Sequence, residues 1–335
     1  MFENNEGEGR KMKRKVILGI LIGTQLLLTA CGGNRENVLI YSSAEDYRIE
    51  YMNERLQEEF PDYEITIEYM PTGNHAAKLI SEGISTECDI SHDLEYGYME
   101  KLDKEGLFAD LSVYDKDIYV DDVVKSNNYL AEYRNGGAVI VNTKILEEKG
   151  LAIPESYEDL LKPEYKGLIS MPNPKSSGTG YMFLKSLVNE WGEERAFEYF
   201  EKLTENILQY TSSGSGPVNA LMQEEAVIGL GMTGQAVIKI NEGYPLEIVY
   251  FAEGSPYCIY GQSMIKGKDE RNAVAEVFDF MVNTLNYEMV AKFFPEKIYK
   301  DKDYTIENYP INISYSDMSN NSIEEKNRLL ERWTY

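Results

Sequence analysis

The hydrophobic pattern from residue 38 onward alternates between short apolar runs and helical periods. Residues 38–41 form an apolar run, and Ile49, Met52 and Leu56 then recur at helical spacing. Residues 63–69 alternate between polar and apolar side chains, which is typical of a strand. Strands, short turns and helices in this order predict an α/β fold with a largely parallel sheet.

A second set of the same elements follows in the middle of the chain. Strands are predicted at residues 168–171 and 226–230, with helices at residues 179–189 and 194–204 between them. A chain of 335 residues is long enough for two lobes, each with its own core. We therefore expect two α/β lobes, each with a mixed sheet flanked by helices.

Two β-rich stretches without a helical period, residues 129–142 and 255–266, are predicted to cross between the lobes. Gly136 and Gly137 would permit tight backbone geometry in the first of these stretches. The expected division gives the first lobe residues 38–131 and 262–300, and the second lobe residues 132–261 and 301–335.

The first 30 residues have the layout of an exported chain. Basic side chains between positions 10 and 15 precede an apolar run at residues 16–30. That run is shorter than the roughly 20 residues of a membrane-spanning helix, and it is typical of a signal peptide. Met12 begins a better signal than Met1 does, which leaves open whether residues 1–11 are translated.

Residues 28–31, Leu-Thr-Ala-Cys, resemble a bacterial lipobox. The resemblance implies that residues 1–30 are removed and that Cys31 becomes a lipidated N-terminus, with residues 31–37 as a polar tether. An ordinary signal peptide followed by a chance cysteine is the alternative. If Cys31 is lipidated, the protein is exported and anchored by that lipid to the extracytoplasmic face of the cell membrane.

The acidic composition excludes one class of partner. The chain has 33 Lys and Arg residues against 57 Asp and Glu residues, for a formal net charge of −24. Nucleic acid is bound by basic surfaces that displace its counterions, so it is not an expected partner. Hydrophobic residues make up 43% of the chain, as in a globular protein with a real core.

Cysteine and histidine are scarce and predict neither a metal site nor a catalytic group. Besides Cys31 the chain has Cys88 and Cys258, and the sequence leaves open whether these two form a disulfide. Apart from the four-residue spacing of Cys88 and His92, no pair of these residues has metal-ligand spacing. His75 and His92 stand in no nucleophile–base motif. We expect no metal, no cofactor and no enzymatic activity.

Small and hydroxylated residues are concentrated in four turns that follow predicted strands and precede predicted helices. The richest turn, residues 174–181, reads Pro-Lys-Ser-Ser-Gly-Thr-Gly-Tyr. Backbone N–H groups at such a helix N-terminus favour an anion, although N-capping or a plain turn would also explain single hydroxyls. In an open α/β sheet all four turns would face the crevice at the carboxyl ends of the strands. The candidate ligand-binding residues in these turns are Ser42, Ser43, Thr72, Asn74, Ser176, Ser177, Gly178, Thr179, Ser213 and Gly214.

Several segments resemble one protein family. Residues 158–167, Glu-Asp-Leu-Leu-Lys-Pro-Glu-Tyr-Lys-Gly, together with residues 171–172 and 176–179, closely resemble a stretch of extracellular solute-binding proteins. Residues 139–143 and 214–218 match further segments of that group, whose members are the ferric-iron, 2-aminoethylphosphonate and sugar-phosphate receptors of ABC importers. The resemblance implies a two-lobed type II periplasmic-binding-protein fold, joined by β hinge segments. Such a protein closes on its solute and presents it to permease subunits.

The neutral donors of the four turns, with Thr233 from a later loop, suit a phosphonate, phosphorylated or carboxylated anion. Asp93, Glu95 or Tyr257 could meet a second group on the ligand. If Asp93 or Glu95 faces the cleft, an amine on the ligand is expected. We therefore expect a monomeric receptor for a small solute.

A ferric-iron or iron-chelate receptor of the same family is one alternative. The tyrosine pair that holds iron in those relatives is replaced here by residues 231–235, Gly-Met-Thr-Gly-Gln, and the position of their histidine falls on Ala44 or Glu45. A hard trivalent cation prefers phenolate and carboxylate oxygens, so this set does not favour direct chelation. A surface sensor or adhesin lipoprotein is a second alternative, and an enzyme on a related two-lobed fold is a third.

Overall fold

Three strand–helix units begin the fold. The structure is a computed structural model and describes residues 36–335. Met52 and Leu56 are buried one turn apart on the first helix, which therefore packs one apolar face against the sheet. The elements of this part are β1 (Asn37–Ser42), α1 (Asp46–Glu59), β2 (Glu64–Tyr69), α2 (Thr72–Glu82), β3 (Ile90–Glu95) and α3 (Tyr96–Lys104).

The middle of the chain forms a second α/β set. It opens with a long strand and continues with helices whose ends follow from local sequence: the Asn142 side chain caps one helix, and Gly150 ends it in a left-handed conformation. The elements are β4 (Leu130–Asn142), α4 (Thr143–Lys149), β5 (Ile169–Pro172), α5 (Gly178–Trp191), α6 (Glu193–Leu203), β6 (Ile207–Thr211), α7 (Gly216–Met222), β7 (Ile228–Met232), α8 (Thr233–Asn241) and β8 (Leu246–Val249).

The chain then returns to the first set of strands. A π-helical segment, Met281–Leu285, joins two of the last helices. The final helix is amphipathic, with Ile323 and Leu329 buried, and the Trp333 side chain that follows it is fully buried. The elements are β9 (Tyr257–Met264), α9 (Asn272–Phe280), α10 (Asn286–Phe293) and α11 (Ile323–Arg332).

All nine strands of the described residues join one mixed sheet, in the order β2-β1-β3-β9-β4-β7-β5-β6, with β8 as a further partner of β4. β1 pairs in parallel with β2 and β3, and β5 pairs in parallel with β6 and β7. β9 and β4 lie between these parallel sets, and their pairings are antiparallel. The carboxyl ends of two parallel sets therefore lie on either side of a central antiparallel pair.

β4 changes its partner in the middle of its length. Residues up to Gly136 pair with β9, whereas Gly137 is already opposite Met232 of β7. The Glu296 side chain accepts a hydrogen bond from the Gly136 N–H at 3.2 Å, and a Cβ on Gly136 would collide with that carboxylate. A single strand thus belongs to both parts of the sheet, as the β-rich pattern of residues 129–142 predicted.

Some elements differ from the sequence expectation. The sequence pattern predicts a helix at residues 75–82, whereas α2 begins three residues earlier, at Thr72. It also predicts an α-helix at residues 157–161, where the structure has a short 3-10 helix at residues 158–161. A helix is predicted from about residue 93 to residue 104, but Asp93 lies inside β3 and the helix begins at Tyr96. The backbone of Asp93 has a left-handed φ of 58° at a point where the β3–β9 register shifts, so the strand continues through it in an irregular form. The pattern predicted none of α4, β6, α8, β8 and α11.

Both cysteines of the described residues are buried free thiols. Burial raises the pKa of each thiol to about 12. The predicted signal peptide and the lipidation site at Cys31 lie outside the described residues. In the part of the chain that the structure describes, no helix is long and apolar enough to cross a membrane.

Candidate functional site

The turns at the carboxyl ends of the parallel strands line a single cleft. It encloses about 350 Å³, including space that is open to solvent. Turns after β1 and β2 and the end of β3 form its first wall, and turns after β5 and β6 form its second wall. This is where open α/β sheets hold ligands. The lining residues are Ser43, Glu45, Tyr69, Pro71, Thr72, Asp93, Ser176, Ser177, Gly178, Thr179, Ser213, Gly214 and Tyr260.

The first wall presents a hydroxyl that has no partner in the protein. The Thr72 side chain, at the start of α2, is 6% exposed, and its Oγ1 makes no hydrogen bond within the described residues. A buried polar group without a partner is costly unless something else satisfies it. The neighbouring Ser43 hydroxyl is instead 2.9 Å from Nδ1 of His75. Thr72 is therefore a free donor and acceptor at the edge of the cleft.

The second wall is the N-terminus of α5. The Ser177 side chain caps this helix by accepting from the Gly180 N–H at 3.4 Å. Gly178 and Thr179 are its first two residues, so their N–H groups have no acceptor within the helix. A Cβ on Gly178 would collide with the hydroxyl of Tyr260, so only glycine allows that phenol to reach the helix end.

The two walls meet over one edge of the cleft. The Gly73 N–H donates to the carbonyl oxygen of Ser176 at 3.4 Å, joining the turn after β2 to the turn after β5. A Cβ on Gly73 would lie 2.9 Å from the carbonyl oxygen of Lys175, which is closer than backbone atoms tolerate. Glycine at this position thus permits the close approach, and the cleft is closed on this side.

A buried arginine lies behind the first wall. Nη1 of Arg48 is 3.1 Å from Oδ1 of Asp93 and 3.4 Å from Oε2 of Glu45, and it donates to the Tyr133 hydroxyl at 2.8 Å. Its guanidinium lies 4.2 Å from the centre of the Tyr133 ring, a cation–π contact. Two carboxylates that line the cleft therefore share one buried cation.

Burial shifts several pKa values in this wall. Desolvation raises the pKa of Glu45 to about 7, and the nearby Asp93 carboxylate opposes the lowering effect of Arg48. Desolvation and Asp93 raise the pKa of Glu132 to about 8; one oxygen of Glu132 accepts from the Asp93 N–H at 2.8 Å. Burial lowers the pKa of His75 to about 3 and that of His92 well below its usual value. Both imidazoles are therefore neutral hydrogen-bonding groups near neutral pH.

Residues 89–321 match the family described as bacterial extracellular solute-binding protein. The chain belongs to this family. Its members are extracellular or periplasmic proteins that bind small-molecule ligands and deliver them to the permeases of ABC importers. They are binding proteins and not enzymes.

Relatives and solved structures agree with this assignment. The chain is 27% identical over 259 residues to an uncharacterized protein of Haemophilus influenzae, covering 74% of this chain and 73% of that protein. It is 24% identical over 193 residues to the spermidine/putrescine-binding periplasmic protein of Salmonella typhimurium, covering 56% of this chain and about half, 53%, of that relative.

Two solved structures illustrate the fold. The periplasmic binding protein AfuA of Actinobacillus pleuropneumoniae, with fructose-6-phosphate bound, superposes with a TM-score of 0.80 at 25% identity, over 89% of this chain and 98% of that one. Iron-bound HitA of Pseudomonas aeruginosa has a TM-score of 0.71 at 15% identity, over 89% and 99%, and shows the fold alone. The predicted two-lobed type II periplasmic-binding-protein fold is confirmed.

Most of the residues predicted for the solute site lie in one cleft. The structure brings together nine of them from both parts of the sheet: Ser43, Thr72, Asp93, Ser176, Ser177, Gly178, Thr179, Ser213 and Gly214. These residues come from five separate turns or strand ends, and the parallel topology is what unites them.

Five predicted residues do not line the cleft of this solute-binding protein: Ser42, Asn74, Glu95, Thr233 and Tyr257. Oγ of Ser42 bonds Nδ1 of His92 at 2.9 Å and accepts from the Ala44 N–H, so Ser42 supports the turn from behind. The Thr233 hydroxyl lies 3.2 Å from that of Tyr250. Tyr257 lines a separate cavity with Glu95, whose carboxylate pairs with Lys326.

Three cleft residues had no place in the sequence prediction of the site: Tyr69, Pro71 and Tyr260. A fourth, Glu45, was considered only as the replacement of a histidine. Tyr69 and Pro71 border the predicted turn after β2, so a wider window around each turn would have found them. Tyr260 lies within β9, where no local pattern distinguishes a cleft residue from a packing residue.

Among residues 36–335, no group of three or more His, Cys, Asp and Glu side chains is arranged to hold a metal ion. The polar groups that face the cleft are hydroxyl groups, backbone amides, the phenols of Tyr69 and Tyr260, and the carboxylates of Glu45 and Asp93.

Proposed function

We propose that this protein is the ABC-importer receptor for a small solute with a phosphoryl or phosphonate group at one end and hydroxyl or amino groups at the other. The observation that carries the proposal is the opposite chemistry of the two walls. The second wall offers amides and hydroxyls, whereas the first wall offers Glu45 and Asp93. A ligand with one anionic end and one hydrogen-bond-donating end matches both.

The anionic end would bind at the start of α5. The Gly178 and Thr179 amides point away from the helix, and the helix dipole adds a partial positive charge at this end. The hydroxyls of Ser176, Ser177 and Thr179 surround the same point. Such donors stabilise a phosphoryl group without Lys or Arg, which reconciles an anionic ligand with the net charge of −24.

The other end would meet the carboxylates of the first wall. Hydroxyl groups of a sugar phosphate, or the amine of an aminophosphonate, would donate to Glu45 or Asp93. The spermidine/putrescine-binding relative suggests a polyamine instead. A polyamine carries no acceptor for the α5 amides, so the second wall disfavours it.

Ferric iron is the second candidate, because the phenols of Tyr69 and Tyr260 share the cleft with Glu45 and Asp93. Phenolate and carboxylate oxygens are suitable ligands for a hard trivalent cation. Burial, however, raises the pKa of Tyr69 and raises that of Tyr260 well above its usual value, which disfavours the phenolate form.

The remaining features of the proposal follow the family role. We propose that the lobes comprise residues 38–131 with 262–300 and residues 132–261 with 301–335, and that β4 and β9 form the hinge segments that join them. Cys31 would carry a lipid that holds the monomeric receptor at the outer face of the membrane. The receptor would release its solute chemically unchanged to the permease.

Calorimetric titration of the purified protein tests the ligand class. We expect binding of fructose 6-phosphate or 2-aminoethylphosphonate, and none of putrescine or ferric citrate. Thr72→Val removes the unpartnered hydroxyl while keeping the shape, and it should weaken binding about ten- to a hundredfold, since a hydrogen bond to a charged group contributes about 1.5–3 kcal/mol. Thr66→Val, an exposed position on β2, is the matched control. Binding of putrescine or ferric citrate without either anion would overturn the proposal.

A further inference from the structure

The first wall holds more carboxylates than its cation can neutralise. Glu45, Asp93 and Glu132 lie around Arg48, which contacts the first two directly. Glu132 contacts the neutral His92 at 3.1 Å and the Asp93 amide. Asp93 is 1% exposed and has the shorter contact with Arg48, at 3.1 Å. The closest carboxylate–cation pair is therefore Arg48 with Asp93.

Glu45 is the acid that remains at the surface of the cleft. Its side chain is 12% exposed, it lines the cleft, and its contact with Arg48 is 3.4 Å long. A phosphoryl group at the opposite wall would place two further negative charges in the same small space. Like charges in a poorly solvated site cannot all ionise, so one acid should take up a proton.

We propose that Glu45 is the acid that takes up this proton, and that solute binding is coupled to it. This inference rests on the proposed function. The proton comes from solvent and joins a carboxylate oxygen of Glu45, which then donates its O–H to an oxygen of the ligand. Glu45 thereby changes from a repelling anion into a hydrogen-bond donor, and no covalent bond of the ligand changes.

The groups that face Glu45 leave this role to it. The second wall contributes hydroxyls and amides from its turns, and His75 and His92 behind the first wall are neutral. The titratable and charged neighbours on the packed elements are Tyr47 and Arg48 of α1, Tyr69 of β2, Asp93 of β3, Glu132 and Tyr133 of β4 and Tyr260 of β9. Glu132 does not line the cleft, and its pKa of about 8 means that it already holds a proton near neutral pH, so it does not compete with Glu45 for the proton taken up on binding.

The pKa of Glu45, about 7 through burial, gives the pH range. A bound phosphoryl anion would raise that pKa further. Below about pH 7 the acid is already protonated and binding takes up no proton. Above that pH each binding event takes up a proton, and affinity falls by up to tenfold per pH unit until the raised pKa is passed.

Titration calorimetry in buffers of different ionisation enthalpy measures this proton directly. The probes are fructose 6-phosphate and inorganic phosphate, at several pH values from about 6 to 9. We expect proton uptake to approach one per ligand near pH 8, to vanish in Glu45→Gln, and to persist in Glu50→Gln, an exposed position on the same helix. The second ionisation of each probe is a property of the ligand, so it is the same for the wild-type protein and the two variants and cancels in the comparison.

The outcomes separate the two proposals. Binding without proton uptake, or uptake that survives Glu45→Gln, overturns the role of Glu45 and leaves the anionic ligand in place. If neither probe binds at about pH 6, where Glu45 is protonated, the anionic ligand itself is refuted, and the coupling falls with it.

Discussion

The contact between Arg48 and Asp93 provides a sharp stability test. Both side chains are 1% exposed, and Arg48 also donates to the Tyr133 hydroxyl. Arg48→Met keeps an unbranched chain of similar length and removes the charge. Asp93 would then be a buried carboxylate without its cation.

The size of the effect follows from burial. Removing one partner of a buried ion pair costs about 3–5 kcal/mol, because the remaining charge is left unsatisfied. Whole domains are stable by only about 5–15 kcal/mol, so this substitution should remove about a fifth or more of the total. Arg48→Met with Asp93→Asn should recover part of the loss, and asparagine tolerates the left-handed φ of 58°.

Urea unfolding followed by circular dichroism measures the free energy of unfolding of each variant. Arg55→Met is the matched control, since Arg55 lies on the same helix and pairs with Glu288 at 24% and 32% exposure. An exposed pair contributes about 0–1 kcal/mol. If Arg48→Met costs no more than Arg55→Met, the buried pair does not stabilise the first wall and the reasoning is wrong.

Three further predictions use the same structure. Gly178→Ala should weaken solute binding at least tenfold in a titration, because its Cβ displaces the Tyr260 hydroxyl; unchanged affinity would show that the phenol is not fixed there. Cys88 and Cys258 should resist a thiol reagent near pH 8 in the folded protein and should both react in urea without reductant, whereas a disulfide between them would leave neither of these two cysteines able to react. The buried His75, with a pKa of about 3, binds its proton only after unfolding in the range from about pH 6.5 down to 3. Stability should therefore fall by about 2 kcal/mol from this group between pH 7 and 5, and His75→Gln should remove that part of the slope in urea midpoints.

The sequence pattern predicted the architecture because each turn carries its own signal. Apolar runs followed by small, hydroxylated residues gave β1, β2 and β5 with their turns, and the long β-rich run gave β4. The two-lobed fold came from the family resemblance. The short strand β8 had no signal of its own and is held by its pairing with β4. The final helix α11 is different, because its amphipathic period and its Ser322 cap are present in the sequence and the prediction missed them.

The site was predicted in the same uneven way. Turn composition found Thr72 and Gly178, because hydroxyls and glycine at helix starts are local features. Tyr260 reaches the cleft only because β9 runs beside β3. Arg48 lies behind the cleft because it contacts Asp93, which is 45 positions away in the sequence. Ser42 shows the opposite error, a residue that was predicted to bind ligand and does not line the cleft. It is a hydroxylated residue in one of the predicted turns, but its side chain bonds His92 behind the cleft.

The position of β9 in the sheet also constrains the order in which the chain can assemble. Glu95 of β3 pairs with Tyr260 of β9. The first three strands are therefore synthesised long before the strand that completes their pairing. Contacts between residues so distant in sequence form slowly, because loop closure precedes any gain from pairing. Tyr260 arrives on the same strand and completes the cleft. A nascent chain that ends before β9 therefore has neither a finished sheet nor a binding site, and the ability to hold a solute is among the last properties that this fold acquires.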